Sequence, residues 1–172
     1  MAPTHSGAAP RLLDPEALSD HLDRLYRAAR AMCGSHADAE DLVQEVCVRV
    51  LAKPRVVRGD DRGYLLGVLR NTFISHCRSR KRQTTVEPST LHNEPDPGRF
   101  DPELGALARE VHREITALPD HYRDVVIAVD ILGLPYSEAA TVLGLPVGTI
   151  MSRLSRGRSR VSRLVDMPAV AA

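Results

Sequence analysis

Five arginines close to the end of the chain are the side chains best suited to binding a polyanion. Residues 153–163 contain these arginines and no acidic residue. The forked guanidinium group matches phosphate oxygens and the edge of guanine, and short hydroxyl side chains can add hydrogen bonds beside it. The candidate nucleic-acid contacts of this segment are Thr149, Ser152, Arg153, Ser155, Arg156, Arg158 and Arg160.

A second basic segment lies at residues 53–82, where the net charge is +7. Single-stranded bases are usually held by a basic groove with aromatic stacking platforms, and Tyr64 and Phe73 are the aromatic residues here. Two separated basic segments predict two contacts with a polyanion, although solvated surface is the alternative for any run of charge. The residues that can neutralise backbone phosphates are Arg78, Arg80, Lys81 and Arg82.

Acidic side chains dominate residues 14–45, where the net charge is −5. On a helix, Asp38, Asp41 and Glu45 fall on one side at i, i+3 and i+7, with Gln44 close by. We call these four residues the acidic ridge. It suits a basic protein partner better than DNA, and a solvated helix face is the alternative.

The sequence contains no recognisable catalytic or metal-binding pattern. It has no glycine-rich phosphate loop and no catalytic set of a nucleophile, a His and a carboxylate. We therefore predict a protein that is not an enzyme and has no cofactor. Cys33 and His36 have C-x-x-H spacing, but no second pair completes four metal ligands. Without a long apolar run or a secretory signal, the expected location is the cytoplasm, with no membrane contact.

Helices must position these side chains, because an aromatic content of 3% argues against an all-β fold. The first predicted helix has Asp14 as its N-cap and ends at Gly34. The second runs from about residue 38 to Pro54, a loop covers residues 54–63, and the third spans about residues 62–80. The apolar stripe of the second helix is Ala39, Leu42, Val43, Val46, Cys47, Val50 and Leu51.

The second half of the chain is also predicted to be helical. Prolines and a net charge of −4 over residues 86–103 predict a flexible acidic linker between the halves. The predicted fold is all-α with two small helical domains. Their bounds are 11–83 and 104–165, with a disordered N-terminus at 1–10, the linker at 84–103 and a flexible tail at 166–172.

The last two predicted helices have the helix-turn-helix arrangement, in which the N-terminal half of the second helix enters a major groove. Ser137 is the expected cap of the first helix, and Gly144, Leu145 and Pro146 form the turn. A basic amphipathic helix packed on another protein is the alternative. The residues expected to face inward are Ala139, Ala140, Leu143, Ile150, Leu154, Val161 and Leu164.

Three stretches resemble the sigma-70 family of RNA polymerase sigma factors, most closely its extracytoplasmic-function (ECF) group. Residues 118–161 resemble region 4, and within them VGTIMSRLSRGR stands where the group usually has V-G-T-V-K-S-R-L-x-R-A-R. AEDLVQEVCVRVL resembles region 2.2, and YLLGVLRNTFISHCRSRKR resembles regions 2.3 and 2.4. The chain departs from the family at Tyr64, where Trp is common, and at Ser75, where Asp is frequent.

This resemblance implies a transcription initiation factor that binds core RNA polymerase and promoter DNA. The acidic ridge would bind the clamp coiled coil of the polymerase, the polymerase flap would be a further contact, and the arginine-rich helix would read the −35 element. Whether an anti-sigma factor also binds is left open. The residues implied for the −10 element are Arg62, Tyr64, Arg70, Asn71, Arg78, Arg80, Lys81 and Arg82.

Two other functions fit the same residues. A stand-alone helix-turn-helix repressor would bind DNA without polymerase, and a helical adaptor with a basic tail would bind only protein. The ending Val170-Ala171-Ala172 resembles the end of a bacterial degradation tag, which implies an AAA+ protease as a partner. The alternative for this ending is an inert frayed terminus.

Overall fold

The computed structural model describes residues 9–83 and 102–165, which form two helical lobes. The first lobe contains β1 (Arg11–Leu12), a 3₁₀ segment (Glu16–His21), α1 (Leu22–Cys33), α2 (His36–Leu51), β2 (Val56–Val57) and α3 (Asp61–Gln83). The second contains α4 (Pro102–Ala117), α5 (Asp120–Val126), a π-helical segment (Ile127–Ile131), α6 (Tyr136–Leu143) and α7 (Val147–Val165). The predicted all-α fold with two helical domains is confirmed.

Several predictions concern residues outside the described ranges. They are the disordered N-terminus up to residue 8, the linker over residues 84–101 and the tail from residue 166. Protease recognition of Ala171 and Ala172 therefore stays a prediction. The helix α4 begins at Pro102, two residues before the predicted start of the second domain at residue 104.

The first helical stretch begins differently from the prediction. Asp14 accepts a hydrogen bond from the backbone N–H of Glu16 (2.9 Å), but a 3₁₀ segment follows and the α-helix starts only at Leu22. The end matches the prediction, because Gly34 adopts a φ of 76° and closes α1.

The helix α2 begins two residues before the predicted start at Asp38. The reason is the hydroxyl of Ser35, which accepts a hydrogen bond from the Asp38 N–H (3.4 Å) and caps the helix. At the other end, Leu51 was expected in the apolar stripe but is 52% exposed. This prediction is wrong, because Leu51 lies in the last turn, beyond the contact with the core.

Leucines from α1, α2 and α3 form the core of the first lobe. Leu25, Leu42 and Leu65 are completely or almost completely buried, and each contributes roughly 1.5–3 kcal/mol relative to an exposed position. The strand pair was not predicted, since two residues carry no readable alternation. Arg11 pairs with Val57 in antiparallel register and fixes the loop before α3.

A wide helical turn ends the central helix of the second lobe. The N–H of Leu132 donates to the carbonyl of Ile127 (3.0 Å), the i to i−5 pattern of a π-helix, and Gly133 then turns the chain with a φ of 68°. The helix α6 follows at Tyr136. Its predicted cap, Ser137, is wrong, because Pro135 already supplies the extended residue before the helix and no side chain caps it.

The helices α5 and α7 cross unusually closely at Gly157. A Cβ atom at this position would lie 2.8 Å from Cγ2 of Val126, a distance that real Cβ atoms do not tolerate. The glycine therefore lets α7 lie directly on α5, which fixes the helix that carries the candidate DNA contacts.

The two lobes also pack against each other. The helix α4 contacts α1, and α6 contacts α3. This contact was not predicted, because charged groups such as Arg62 and Arg70 make part of it and their spacing does not identify a distant partner.

Candidate nucleic-acid and polymerase interfaces

The outward face of α7 is defined by the burial of the opposite face of the helix. Ile150 and Leu154 are 0% and 2% exposed and anchor the helix to the second lobe. Ser152, Ser155 and Arg156 consequently lie on the exposed side. The helix-turn-helix geometry is completed by Gly144, whose left-handed φ of 65° makes the turn between α6 and α7, and by the buried pair Ala139 and Ala140.

Two other predicted DNA contacts on α7 already interact with side chains of the second lobe. Arg158 forms an ion pair with Asp130, with Nε 3.1 Å from Oδ2, and this hydrogen bond raises the pKa of Arg158. Arg160 lies over the ring of Tyr122, 4.9 Å from its centroid, in a cation–π contact. Both side chains hold α7 against the rest of the lobe and remain exposed to solvent. Thr149 and Arg153 are partly buried.

An exposed methionine that was not predicted as a DNA contact lies beside the hydroxyl groups of α7. Met151 is 54% exposed and lines a shallow cavity of about 330 Å³ together with Tyr136, Leu154 and Ser155. The available signal was a long apolar residue outside the buried stripe, at the position where the ECF pattern has Lys. Apolar side chains at such positions contact the methyl group of thymine.

A larger cavity opens in the first lobe among the residues predicted for the −10 element. Its volume is about 410 Å³, and it lies between the end of α2, the residue before β2 and the first half of α3. Tyr64 and Asn71 were predicted, whereas Arg49 and Arg55 were not. The cavity offers an aromatic ring, an amide and two guanidinium groups, which together suit an unstacked base and its phosphate. The lining residues are Arg49, Arg55, Tyr64, Val68 and Asn71.

Two other arginines of the predicted −10 set contact the second lobe. Arg70 donates from Nε to Oδ2 of Asp124 (2.9 Å). Arg62 donates from Nη1 to the carbonyl oxygens of Leu132 (3.2 Å) and Gly133 (3.1 Å).

Arg62 is held in this position by a carboxylate of its own lobe. Its Nε lies 2.9 Å from both carboxylate oxygens of Asp60. These hydrogen bonds lower the pKa of Asp60, although its partial burial opposes the shift. They also raise the pKa of Arg62. Arg62 thus stays charged while it caps the carbonyl end of the π-helical segment.

The C-terminal turns of α3 carry the remaining predicted −10 residues. Arg78 and Arg80 are exposed. Arg80 forms an ion pair with Asp38 of α2, with Nη2 2.5 Å from Oδ1, and the hydrogen bond raises the pKa of Arg80. Lys81 and Arg82 belong to the last turn of the helix, and their side chains lie outside the described part of the structure.

The acidic ridge divides into an exposed half and a paired half. Asp41 and Gln44 are exposed on α2. Asp38 pairs with Arg80, whereas Glu45 lies 2.5 Å from Nε2 of His76 and also pairs with Arg49. Partial burial would raise the pKa of Glu45, but the hydrogen bonds from His76 and Arg49 outweigh it and lower that pKa.

Exposed apolar residues continue the surface of the ridge. Val48 follows Gln44 by one turn of α2 and is 68% exposed, and Leu51 lies at the end of the same helix. An apolar strip beside exposed polar groups is typical of protein interfaces, in which apolar contacts supply affinity and polar groups supply specificity. Val48 was not predicted as a contact, because nothing in its spacing distinguishes it from ordinary surface.

Comparison with known proteins distinguishes among the remaining functions. Residues 18–83 match the family model Sigma-70 region 2, and residues 108–161 match Sigma-70, region 4. This chain belongs to the sigma-70 family. The matched ranges of the sigma factor coincide with its two lobes and include the acidic ridge, both cavities and the outward face of α7.

Named relatives place the sigma factor in the ECF group. The ECF RNA polymerase sigma factor SigE of Mycolicibacterium smegmatis is 33% identical over 154 residues, which cover 85% of this chain but only 59% of the relative. The ECF RNA polymerase sigma factor SigL of Mycobacterium tuberculosis is 32% identical over 160 residues, which cover 90% of each chain.

Solved structures agree with the fold of the sigma factor. The sigma factor RpoE from Bartonella quintana, solved in complex with the anti-sigma factor NepR, has a TM-score of 0.68 and 26% identity. The match covers 88% of this chain and 96% of that one. Across residues 9–83 and 102–165, none of the helices is both long and apolar enough to cross a membrane.

Proposed function

We propose that this sigma factor binds core RNA polymerase, places one lobe on each of two promoter elements and promotes the start of transcription. Residues 11–83 would provide the polymerase and −10 contacts, and residues 104–165 the −35 contacts. Each of these contacts is a binding role, and none of them requires a catalytic group.

The outward face of α7 is the observation that carries this proposal. Ser152, Ser155 and Arg156 are exposed on one side of a helix whose other side is anchored by Ile150 and Leu154. Recognition helices read base edges with such a face, and a bidentate arginine contact to guanine is the commonest specific contact. Met151 would add an apolar contact to a thymine methyl group of the −35 element.

The cavity in the first lobe is the proposed site for an unstacked base of the −10 element. Tyr64 would stack on the base, Asn71 would hydrogen-bond to its edge, and Arg49 and Arg55 would contact the adjacent phosphates. Promotion of strand opening then follows from mass action, since holding an unpaired base favours the open duplex.

The exposed half of the acidic ridge is the proposed polymerase contact. Asp41 and Gln44 offer polar groups, and Val48 offers an apolar anchor on the same exposed side of α2. An anti-sigma factor is a second proposed partner. The support for it is the solved complex of the related RpoE with NepR, which is described above.

Run-off transcription tests the proposal. The sigma factor, core polymerase and genomic templates should together yield discrete transcripts that neither protein produces alone. Arg156→Ala should lose these transcripts, whereas Arg113→Ala should retain them, because Arg113 is an exposed arginine of α4 that pairs with Glu110 and Glu114 of its own helix. Transcripts that do not depend on the sigma factor would contradict the proposal.

A further inference from the structure

The carboxylate of Glu45 is shared between two side chains of the first lobe. One oxygen, Oε1, accepts a hydrogen bond from Nη2 of Arg49, four residues later on α2. The other, Oε2, lies 2.5 Å from Nε2 of His76 on α3. Because an ionised carboxylate can only accept, Nε2 of His76 carries the proton of this hydrogen bond. Both oxygens are thus engaged inside the lobe, and the Glu45 side chain is 33% exposed.

Arg49 belongs both to this contact and to the cavity of the first lobe. Its side chain lines the cavity, whereas Glu45 and His76 do not. The carboxylate therefore holds the guanidinium group from outside the cavity. A guanidinium group has five N–H donors, so a hydrogen bond to Glu45 leaves other donors for a ligand.

The backbone of Arg49 is fixed by the second arginine of the cavity. Nη2 of Arg55 donates to the carbonyl oxygen of Arg49 (3.0 Å). Arg55 is itself held by the strand pair, because its carbonyl oxygen accepts a hydrogen bond from the N–H of Leu13 (2.8 Å). The remaining freedom lies in the side chain of Arg49, which is 47% exposed and is restrained by Glu45.

The ion pair between Glu45 and Arg49 has a larger effect on order than on stability. A pair at this exposure, four residues apart on a helix, contributes little to the free energy of unfolding. An arginine side chain has many rotamers, and fixing it when a ligand binds costs conformational entropy. A side chain that is already ordered avoids much of this cost, so the ligand binds more tightly.

We propose that Glu45 is a positioning residue of the −10 site, which together with His76 holds Arg49 toward the phosphate beside the unstacked base. Glu45 thereby acts in DNA binding instead of in the polymerase contact that the sequence predicted. This inference rests on the proposed function, because that function assigns the cavity to the −10 element. The negative charge of Glu45 opposes a phosphate, but solvent screening weakens this repulsion at a partly exposed site outside the cavity.

Two substitutions of Glu45 test the proposal against a matched control. Glu45→Ala removes the restraint on Arg49. Glu45→Gln keeps an acceptor for Arg49 and offers an amide that can donate to the other tautomer of His76. The control is Asp23→Ala, because Asp23 pairs with Arg27 four residues later on α1 and neither of these residues lines the cavity. Thermal melting establishes that each variant is folded.

Fluorescence of 2-aminopurine in the −10 element measures promoter opening by the complex with core polymerase. Glu45→Ala should lower the apparent equilibrium constant of opening roughly five-fold, since Arg49 must then be ordered on binding. Glu45→Gln and the Asp23→Ala control should stay near the wild-type value. The affinity for core polymerase, measured separately, should be the same for the wild-type chain and all three variants.

A double-mutant cycle with Arg49→Ala shows whether Glu45 acts through Arg49. Arg49→Ala should itself reduce opening, and adding Glu45→Ala should cause no further loss. Losses that multiply, or increased opening in Glu45→Ala alone, would overturn the proposal. Weaker core binding of Glu45→Ala in both backgrounds would also overturn it and would return Glu45 to the polymerase contact.

Failure of the wild-type chain to open any promoter with polymerase would refute the proposed function instead. The NMR signal of the Arg49 Nε–H group separates the two outcomes, because it reports the order of this side chain without DNA or polymerase. The signal should show a rigid side chain in the wild-type chain and in Glu45→Gln, and a mobile one in Glu45→Ala. Equal mobility in all three chains would overturn the positioning role.

Discussion

Arg80 of α3 and Asp38 of α2 form an ion pair, with Nη2 2.5 Å from Oδ1. The sequence predicted Arg80 as a DNA contact and Asp38 as a polymerase contact, so the pair links the two predicted surfaces. A second contact between the same two helices joins His76 of α3 to Glu45 of α2. The proposed polymerase surface is thus reduced to Asp41, Gln44 and the apolar residues beyond them.

Charge reversal on the exposed half of the ridge should weaken the binding of core polymerase. We expect Asp41→Lys to raise the Kd several-fold, mainly by slowing association, because a rim charge acts on encounter with an oppositely charged partner. Surface plasmon resonance with immobilised core polymerase measures both rates. Asp23→Lys, at an exposed acidic residue of α1 that pairs within its own helix, is the control and should leave association unchanged. Equal losses in both variants would argue against a ridge-specific contact.

Removal of the central arginine of α7 should reduce recognition of the −35 element. Arg156→Ala should cost about 1–3 kcal/mol in binding of the polymerase complex to promoter DNA. The loss should disappear on templates whose −35 element is scrambled, since no specific contact remains there. Arg163→Ala, near the end of the same helix, is the control. A uniform loss on all templates would instead assign Arg156 to a phosphate.

The methyl contact proposed for Met151 can be tested by changing the DNA. Replacing −35 thymines with deoxyuridine removes only methyl groups, and loss of one contact should weaken binding about four-fold, on the basis of about 0.8 kcal/mol per buried carbon. Met151→Ala should bind both templates equally. Deoxyuridine at positions between the two promoter elements should have no effect, and an undiminished preference for thymine in Met151→Ala would rule out the contact.

Gly157 should be essential for packing of the second lobe. Gly157→Ala forces its methyl group to within 2.8 Å of Val126, and we expect a loss of about 1–3 kcal/mol in the free energy of unfolding. Urea denaturation followed by circular dichroism measures this loss. Gly148→Ala is a matched control on the same helix, because no atom lies within 4 Å of its added Cβ. Equal stability of the two variants would show that α5 and α7 can separate at little cost.

The sequence allowed the helices and the helix-turn-helix to be predicted, because both depend on local periodicity. The stripe that ends in Ile150 and Leu154 on α7 is one example, and both residues are buried. The site was predicted less completely, since the spacing of charged residues does not indicate which partner each of them contacts. Nothing in the spacing of Arg62 or Arg70 indicates that they contact a lobe more than fifty residues away.

We expect promoter recognition by this chain to require RNA polymerase. The direct measurement is an electrophoretic mobility shift with a promoter fragment chosen from the run-off templates, titrated with the sigma factor, with core polymerase and with both. A specific complex should form only with both proteins, and its affinity should fall steeply as salt rises. Tight, specific binding by the sigma factor alone would contradict it and would favour a stand-alone repressor.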